Sequence, residues 1–450
     1  MRTYLLRLKT YGLKNLEHEV CLDFANATIP GAIDPKNKNV KAIYGLNGAG
    51  KSALMASVDL GIRLLINRNY LQLPSQSYLD RLFNQKKKHF HIEFDYALCD
   101  SSLPSKVLDV FSYSLDVVPS SNGYKILEEK LSIAKGRSLN EKFEPVFTVH
   151  DGVLTLEGKS DEGDALLLER TKNLLSMSTL SSLLHHLYLA KEEGFDLKGL
   201  RLMARRVHIG SLLVLATNTH VYVEAPDLHK VSFMGADAFI DNFSDMMIGG
   251  KNDYLQDLFY GLEPSTQEIK KDEMAPYEEK VRKLSSFIKI FNADLKDIEI
   301  KKKVDGDTYH CSLLFVYDGY KVDSEFESTG TKKLIELFSY FEYVSEGGTV
   351  FLDELDSNLH DVYLCKLIEY FSEYAKGQLC FTTHNLGPME ALSDKQFSLD
   401  FLGIDNHLVS WVKNGNYSPM SQYPKGMIKY SPFNFEAIDF LAVFGDPECK

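Results

Sequence analysis

Several kinds of protein are excluded by what this sequence lacks. Its 450 residues contain one Trp and six Cys, and Cys21, Cys99, Cys311, Cys365, Cys380 and Cys449 are scattered without a C-x-x-C pair. That rules out a disulfide scaffold and a paired-cysteine zinc site, and it fits reduced thiols in a cytoplasmic protein. No stretch approaches the roughly 18 apolar residues of a membrane helix. The N-terminus, Met1 to Arg7, has charge but no apolar run of signal-peptide length. The expected location is the cytoplasm, with no membrane partner. A positive charge excess is missing too: the net charge is -13, which argues against nucleic-acid binding over the whole surface. Sustained heptads and internal repeats are also absent, so a long coiled coil is not expected.

What is present is an ordinary globular mix, 44% apolar and 25% charged. The length predicts two or three domains, or one large domain with an insertion. Charge is uneven: residues 1–90 hold 14 Lys/Arg and 6 Asp/Glu, a net of +8, which leaves -21 for the rest. A basic N-terminal part suits phosphate binding; the acidic bulk does not suit a DNA clamp.

Periodicity predicts strands at Leu5–Lys9 and Val20–Phe24 around a turn, a short strand at Val40–Tyr44, and a helix from Lys51 to Ile66. His89–Tyr96 alternates as a half-buried strand, and residues 106–156 read as further strands. From about 160 the pattern turns helical, at Leu166–Leu175, Thr179–Lys191, Leu197–Leu215 and Tyr277–Phe291. Strands return at Ile298–Val304, Tyr309–Tyr317 and Tyr320–Phe326.

Gly45-Leu46-Asn47-Gly48-Ala49-Gly50-Lys51-Ser52 fits G-x-x-x-x-G-K-[ST], between a strand and a helix. The glycines of this P-loop let backbone N–H groups, those of Asn47 and Ala49 among them, face a polyphosphate, and the helix adds its positive pole. Lys51 can reach the outer phosphates, and the Ser52 hydroxyl can bind Mg²⁺. Gly348-Thr349-Val350-Phe351-Leu352-Asp353-Glu354 is an apolar strand ending in two acids. Asp353 suits the magnesium shell and Glu354 the polarising of a water. Thirty residues past Glu354, Leu379 to Asn385 repeats the pattern with His384 at the tip, where a neutral imidazole could bond a γ-phosphate or the attacking water. Ser328, in Glu327-Ser328-Thr329-Gly330-Thr331, is a natural N-cap for a helix from Lys332 to Tyr343, and with Gly330 it forms a second candidate anion site.

In this order the four pieces resemble the ABC-type ATPase superfamily in its SMC/RecF-like branch. The stand-alone AAA family ATPases of bacterial abortive-infection and anti-phage systems, OLD-like, Septu-like and PARIS-like, are similar over residues 1–100 and 280–390. Tyr11 to Leu16 matches their lead-in to the P-loop, Glu327 to Thr331 their signature, and Asp353 to His360 their Walker B and D-loop. Transporter ATPases usually have Asp where His360 stands. The family's Q-loop glutamine has two candidates here, Gln76 and Gln85.

The resemblance implies an α/β P-loop NTPase with an ABC-type head, a mixed sheet flanked by helices, and a mainly helical insertion. The expected divisions are 1–155, 156–290 and 291–450. It implies ATP and Mg²⁺ as cofactors, Glu354 and His384 as catalytic residues, and a homodimer or higher homo-oligomer through ATP-bridged heads. In that assembly Ser328 and Gly330 of one copy cap the ATP on Lys51 and Ser52 of the other, and Lys333 joins Lys51 in a charged seam. The implied role is a defence sensor that controls an effector protein, a nuclease or toxin, in trans, with a phage protein or nucleic acid as trigger. A DNA-repair ATPase of the RecF/SMC type is the alternative, and a scaffold for which ATP is a structural ligand is a third reading. Only 66 residues follow His384, without a D-x-D pair, which is too little for a complete metal-nuclease domain. Residues 160–280 are the expected recognition region, and the aromatic stretch from Tyr430 to Gly445 is expected to dock on the core.

Overall fold

The computed structural model describes residues 1–34, 36, 38–72, 76–100, 106–192, 205–223, 261–395, 397–413 and 417–431. Its centre is a six-stranded sheet built from short apolar runs. The strand order is Leu408–Ser410, Leu399–Leu402, Val40–Gly45, Gln378–Thr382, Thr349–Leu352, Thr219–Tyr222. All neighbours run parallel except the edge strand Leu408–Ser410. The inner strands are buried along their whole length, as a parallel sheet covered on both faces requires.

Alternation divides this sheet between two cores. Ile43, Phe351, Cys380 and Leu402 join the core around the helix Lys51–Ile66. Ala42, Tyr44, Val350, Leu352, Leu379 and Phe381 join a second core with the helices Met274–Phe291, Thr329–Glu346 and Asp361–Tyr374. Period-two side-chain direction is the cause.

The first core is closed by a seven-stranded antiparallel sheet, in the order Val20–Asp23, Arg2–Tyr11, Phe90–Cys99, Val107–Ser120, Gly123–Ala134, Phe143–His150, Val153–Leu156. A smaller antiparallel sheet carries Gln267–Lys270, Thr308–Tyr317 and Asp297–Asp305, with Tyr320–Asp323 paired to Thr308–Tyr317. Besides their shared core, the two large sheets are bridged by the Gln378 side chain. The first strand shifts register between Leu5 and Arg7, and the Gln378 amide pairs with the backbone there. Its Nε2 donates to Leu5 O at 2.8 Å and its Oε1 accepts from Leu5 N–H at 2.7 Å.

Between 156 and 290 the described residues include the helices Glu162–Arg170, Thr179–Glu192, Arg206–Thr217 and Met274–Phe291. Several described residues of this span pack with the central sheet and its core. Thr219–Tyr222 completes the central sheet beside Thr349–Leu352, and buried leucines of Thr179–Glu192 and Arg206–Thr217 share the core of the P-loop helix. A four-residue strand gives too little pattern to be read from the sequence. Most of the Leu197–Leu215 expectation is met by Arg206–Thr217, while 193–204 lies outside the described residues, as does the C-terminal aromatic stretch from Pro432 on.

Candidate nucleotide site

The central strand Val40–Gly45 feeds the loop, and the helix Lys51–Ile66 leaves it. Gly48 (φ +82°) and Gly50 (φ +110°) adopt conformations that favour glycine. Gly45 is held by space instead: a Cβ there would lie 2.6 Å from Leu402 O. Gly50 caps the helix without a side-chain hydrogen bond, so the first-turn N–H groups stay available to an anion. Asn47 is exposed at the loop tip, Ala49 is buried, and Ser52 is half-buried in the first helical turn. Lys51 is 7% exposed, and its ammonium donates to Gly45 O at 2.8 Å and Leu46 O at 3.3 Å. Burial lowers its pKa, while Asp353, Glu354 and Asp356 pull it back up.

Two asparagines buttress the loop from outside. The Asn15 amide donates to Gly48 O. The Asn406 amide donates to Ala49 O at 3.4 Å, and its carbonyl oxygen accepts the Glu17 and His18 N–H groups at 2.8 and 3.1 Å. Asn15 stands in the lead-in that the sequence flagged; Asn406 carries no motif and was missed.

The acids sit two strands away from the loop, with the strand Gln378–Thr382 between. Thr382 fixes both. Its hydroxyl donates to Asp353 Oδ1 at 2.6 Å and accepts the Glu354 N–H at 2.8 Å. Asp353 is buried, whereas Glu354, at φ +48°, is lifted out to the surface. Lys333 is 4% exposed and donates to Glu354 O at 2.8 Å and to Ser357 Oγ. It is therefore a brace within its own chain, not the seam residue expected, because the helix beginning at Thr329 turns it inward.

Asp356 is an acid to which the sequence gave no role of its own. One of its oxygens, Oδ1, is buried without a hydrogen-bond partner. Three carboxylates act on the one ammonium of Lys51. Such a hard-oxygen surplus beside a phosphate loop fits Mg²⁺, which takes one or two carboxylates and leaves the remaining positions to water and phosphate. Asp353 and Ser52 are the residues that would hold it. Among the described residues no group of three or more His, Cys, Asp or Glu forms a metal cage, which is compatible with so sparse a protein shell.

His384 follows buried Thr383 at the end of the middle strand and is itself exposed. Burial and the Lys51 charge push its pKa below the usual 6.5, against Asp356, Glu354 and Asp353, which favours the neutral imidazole. The His384 backbone N–H donates to Asp356 Oδ2 at 3.4 Å.

The signature helix Thr329–Glu346 starts three residues before the expected Lys332. Ser328 caps it, with Oγ accepting the Thr331 N–H at 3.1 Å. A Cβ on Gly330 would meet Asn358 O at 2.6 Å, so only glycine lets this turn lie against the Asp356–His360 segment. The structure thus gathers Lys51, Asp353, Glu354 and His384 at one end of the central sheet. Ser328 bonds Thr331 of its own helix, and Gly330 lies against Asn358. Of the glutamine candidates, Gln85 folds back on Asp80 O and Phe83 O, and Gln76 opens the helix Gln76–Leu82.

Residues 221–389 match the family model described as "AAA domain, putative AbiEii toxin, Type IV TA system". A search of curated proteins finds no match. Among solved structures, RecF–ATPrS, a recombination mediator protein of the RecFOR pathway, is 15% identical with a TM-score of 0.39, covering 91% of this chain and 99% of that one. The Smc head domain from Pyrococcus yayanosii is 12% identical with a TM-score of 0.41, covering 91% and 97%. At scores this low the fold assignment rests on the topology and on the loop itself. By its strand–P-loop–helix unit, the order of its motifs and the matched family model, the chain is an α/β P-loop NTPase that resembles the ABC-type ATPases of the SMC/RecF-like branch.

Proposed function

We propose that this chain binds ATP with Mg²⁺ and hydrolyses it in a head-to-tail homodimer, and that the ATPase is the regulatory subunit of an anti-phage defence system acting on an effector in trans. The observation that carries the catalytic reading is Thr382, which ties Asp353 and Glu354 together at the end of the strand leading to His384. Mg²⁺ would supply charge neutralisation for the phosphates and their developing negative charge. Lys51 and the uncapped first turn hold the β and γ phosphates. Glu354, lifted out at φ +48°, takes hydrogen bonding from the attacking water, and neutral His384 orients that water or the γ-phosphate.

The dimer reading is supported by an incomplete second site. Ser328 is exposed and caps its own helix, with Thr331 as its hydrogen-bond partner. The defence role is supported by the abortive-infection-type family model. Mixing tests the dimer: Ser328→Arg and Lys51→Ala proteins are each expected to be inactive. Together they should recover part of the wild-type turnover, because one site of the mixed dimer is intact. No recovery at any ratio, with subunit exchange confirmed, would show hydrolysis within one chain. For the biological role, turnover stimulated by DNA and indifferent to a co-expressed effector would favour the repair alternative.

A further inference from the structure

The residues just before the signature helix carry a feature that hydrolysis does not use. Phe326 is 81% exposed, the most exposed large apolar side chain among the described residues. A loose loop would let such a ring fold back onto apolar surface, but this turn is clamped. The buried Ser324 hydroxyl donates to Pro264 O at 2.6 Å, Glu327 N–H to Ser324 O at 3.2 Å, and Tyr317 OH to Glu327 Oε1 at 2.8 Å. Asp323 Oδ1 accepts the Glu325 N–H at 3.4 Å. The ring is held out by its own backbone. The turn itself is acidic: residues 322–331 contain Asp323, Glu325 and Glu327 and no Lys or Arg, and the bordering Lys321 is paired with Glu299. Lys332, the next residue, sends its ammonium to the Glu325 carbonyl.

The opposite charge borders the P-loop. Lys14, Lys86, Lys87 and Lys88 are all exposed. They form one rim: Lys14 N–H donates to Leu82 O at 2.8 Å, and the Asn84 amide to Lys14 O at 2.7 Å. The neighbouring Asn15 reaches Gly48 O, which ties the rim to the phosphate loop. Within the rim, Lys86 pairs with Glu17 at 2.5 Å.

We propose that the Glu325-Phe326-Glu327 shoulder of one copy docks on the Lys14/Lys86–Lys88 rim of a second copy, with Phe326 as its apolar contact. The inference rests on the head-to-tail reading above, which brings the signature end of one chain over the P-loop of another. It adds the surfaces that select the partner and register the pair before the nucleotide is sealed. An apolar ring inside a ring of opposite charges is the usual make-up of a specific contact. Assembly should weaken as salt rises, since exposed charges are screened.

The test uses the full chain carrying Glu354→Gln, so that ATP persists, and follows the dimer by sizing chromatography with Mg–ATP. Phe326→Ala in this background should raise the dimer dissociation constant at least tenfold and leave the monomer's affinity for a fluorescent ATP analogue, measured at a concentration too low for dimerisation, unchanged. E325K/E327K and K86E/K87E/K88E should each remain monomeric alone. Their mixture should assemble, because in the mixed pair both shoulder–rim contacts again join opposite charges. Phe326→Ala stands as an independent test if the Glu327 change, which removes the Tyr317 bond, prevents folding. A parent that dimerises equally with and without these changes overturns the shoulder and leaves the dimer standing. Reversal variants that fail alone and fail mixed overturn the pairing, and point to nucleic acid on the rim or another protein on Phe326. A Glu354→Gln parent that stays monomeric with ATP overturns the head-to-tail reading and this inference with it.

Discussion

The two ends of the nucleotide machinery are built differently. The P-loop end is finished within one chain. Its glycines are in place, two asparagines hold its carbonyls from behind, and Lys51 is buried among its own neighbours. The signature end is capped and braced internally, yet Ser328 and Phe326 stand in solvent. The contrast teaches that binding and hydrolysis can be separated. One end places its backbone and Lys51 for phosphates; the other leaves Ser328 and Phe326 exposed at its surface.

The sharpest way to break the contrast is at the finished end. Lys51→Ala should abolish measurable nucleotide binding by equilibrium fluorescence. The melting temperature should stay near wild type, since only two hydrogen bonds to loop carbonyls are lost. Affinity equal to wild type would sink the P-loop assignment. Glu354→Gln comes next. It should bind ATP normally and turn over about 10²–10⁴-fold more slowly in a phosphate-release assay, the usual cost of losing a general base. Unchanged turnover would remove Glu354 from the chemistry.

Thr382→Val probes the link between acids and phosphate loop. The side chain is isosteric, but Asp353 loses a donor and the Glu354 N–H loses its acceptor. A loss of about 1–3 kcal/mol in folding stability is expected for a buried group left unpaired, together with a raised Mg²⁺ requirement for turnover. A denaturant midpoint and Mg²⁺ dependence equal to wild type would show that Thr382 positions nothing.

The smallest effect lies far from both ends and serves as their control. Glu129 is buried and accepts the Tyr113 hydroxyl and both the N–H and hydroxyl of Thr179, which pins the helix Thr179–Glu192 to the antiparallel sheet. Burial pushes its pKa up to about 7 from 4.5, against those hydrogen bonds. A raised folded-state pKa means the native protein holds the proton more tightly than the unfolded chain. The associated stability is therefore complete below pH 4.5 and lost as pH rises through 7. In Glu129→Gln, the stability difference from wild type should drift across that window and level off above it, with turnover little changed. A flat difference would mean that Glu129 does not titrate there.

Much of this was legible in the sequence because the chemistry and the local pattern agree. The helix Lys51–Ile66 begins where the phosphate loop must end, and the strands bearing Asp353 and His384 are apolar runs bounded by polar tips. The antiparallel sheet announced itself by alternation. What stayed hidden was short, or depended on contacts far apart in sequence. Thr219–Tyr222 and Leu408–Ser410 are strands of four and three residues whose only signal is their neighbour. Asn406 matters through carbonyls more than 350 positions away, as its contact with Ala49 shows. The resemblance places Lys333 in a charged seam; its helical phase turns it inward instead. The helix after the D-loop, Asp361–Tyr374, begins with a His360 cap that no Ser/Thr/Asp/Asn rule flags.

The Gln378 amide has a consequence for motion. It offers one donor and one acceptor at the spacing of a peptide group, so it stands in for a missing rung where the first strand changes register. A carboxylate there would set an oxygen against Leu5 O, and a thioether would leave both backbone groups unpaired. The two large sheets therefore cannot slide past each other by one residue without breaking both bonds. The amide acts as a register pin between the two sheets at this point.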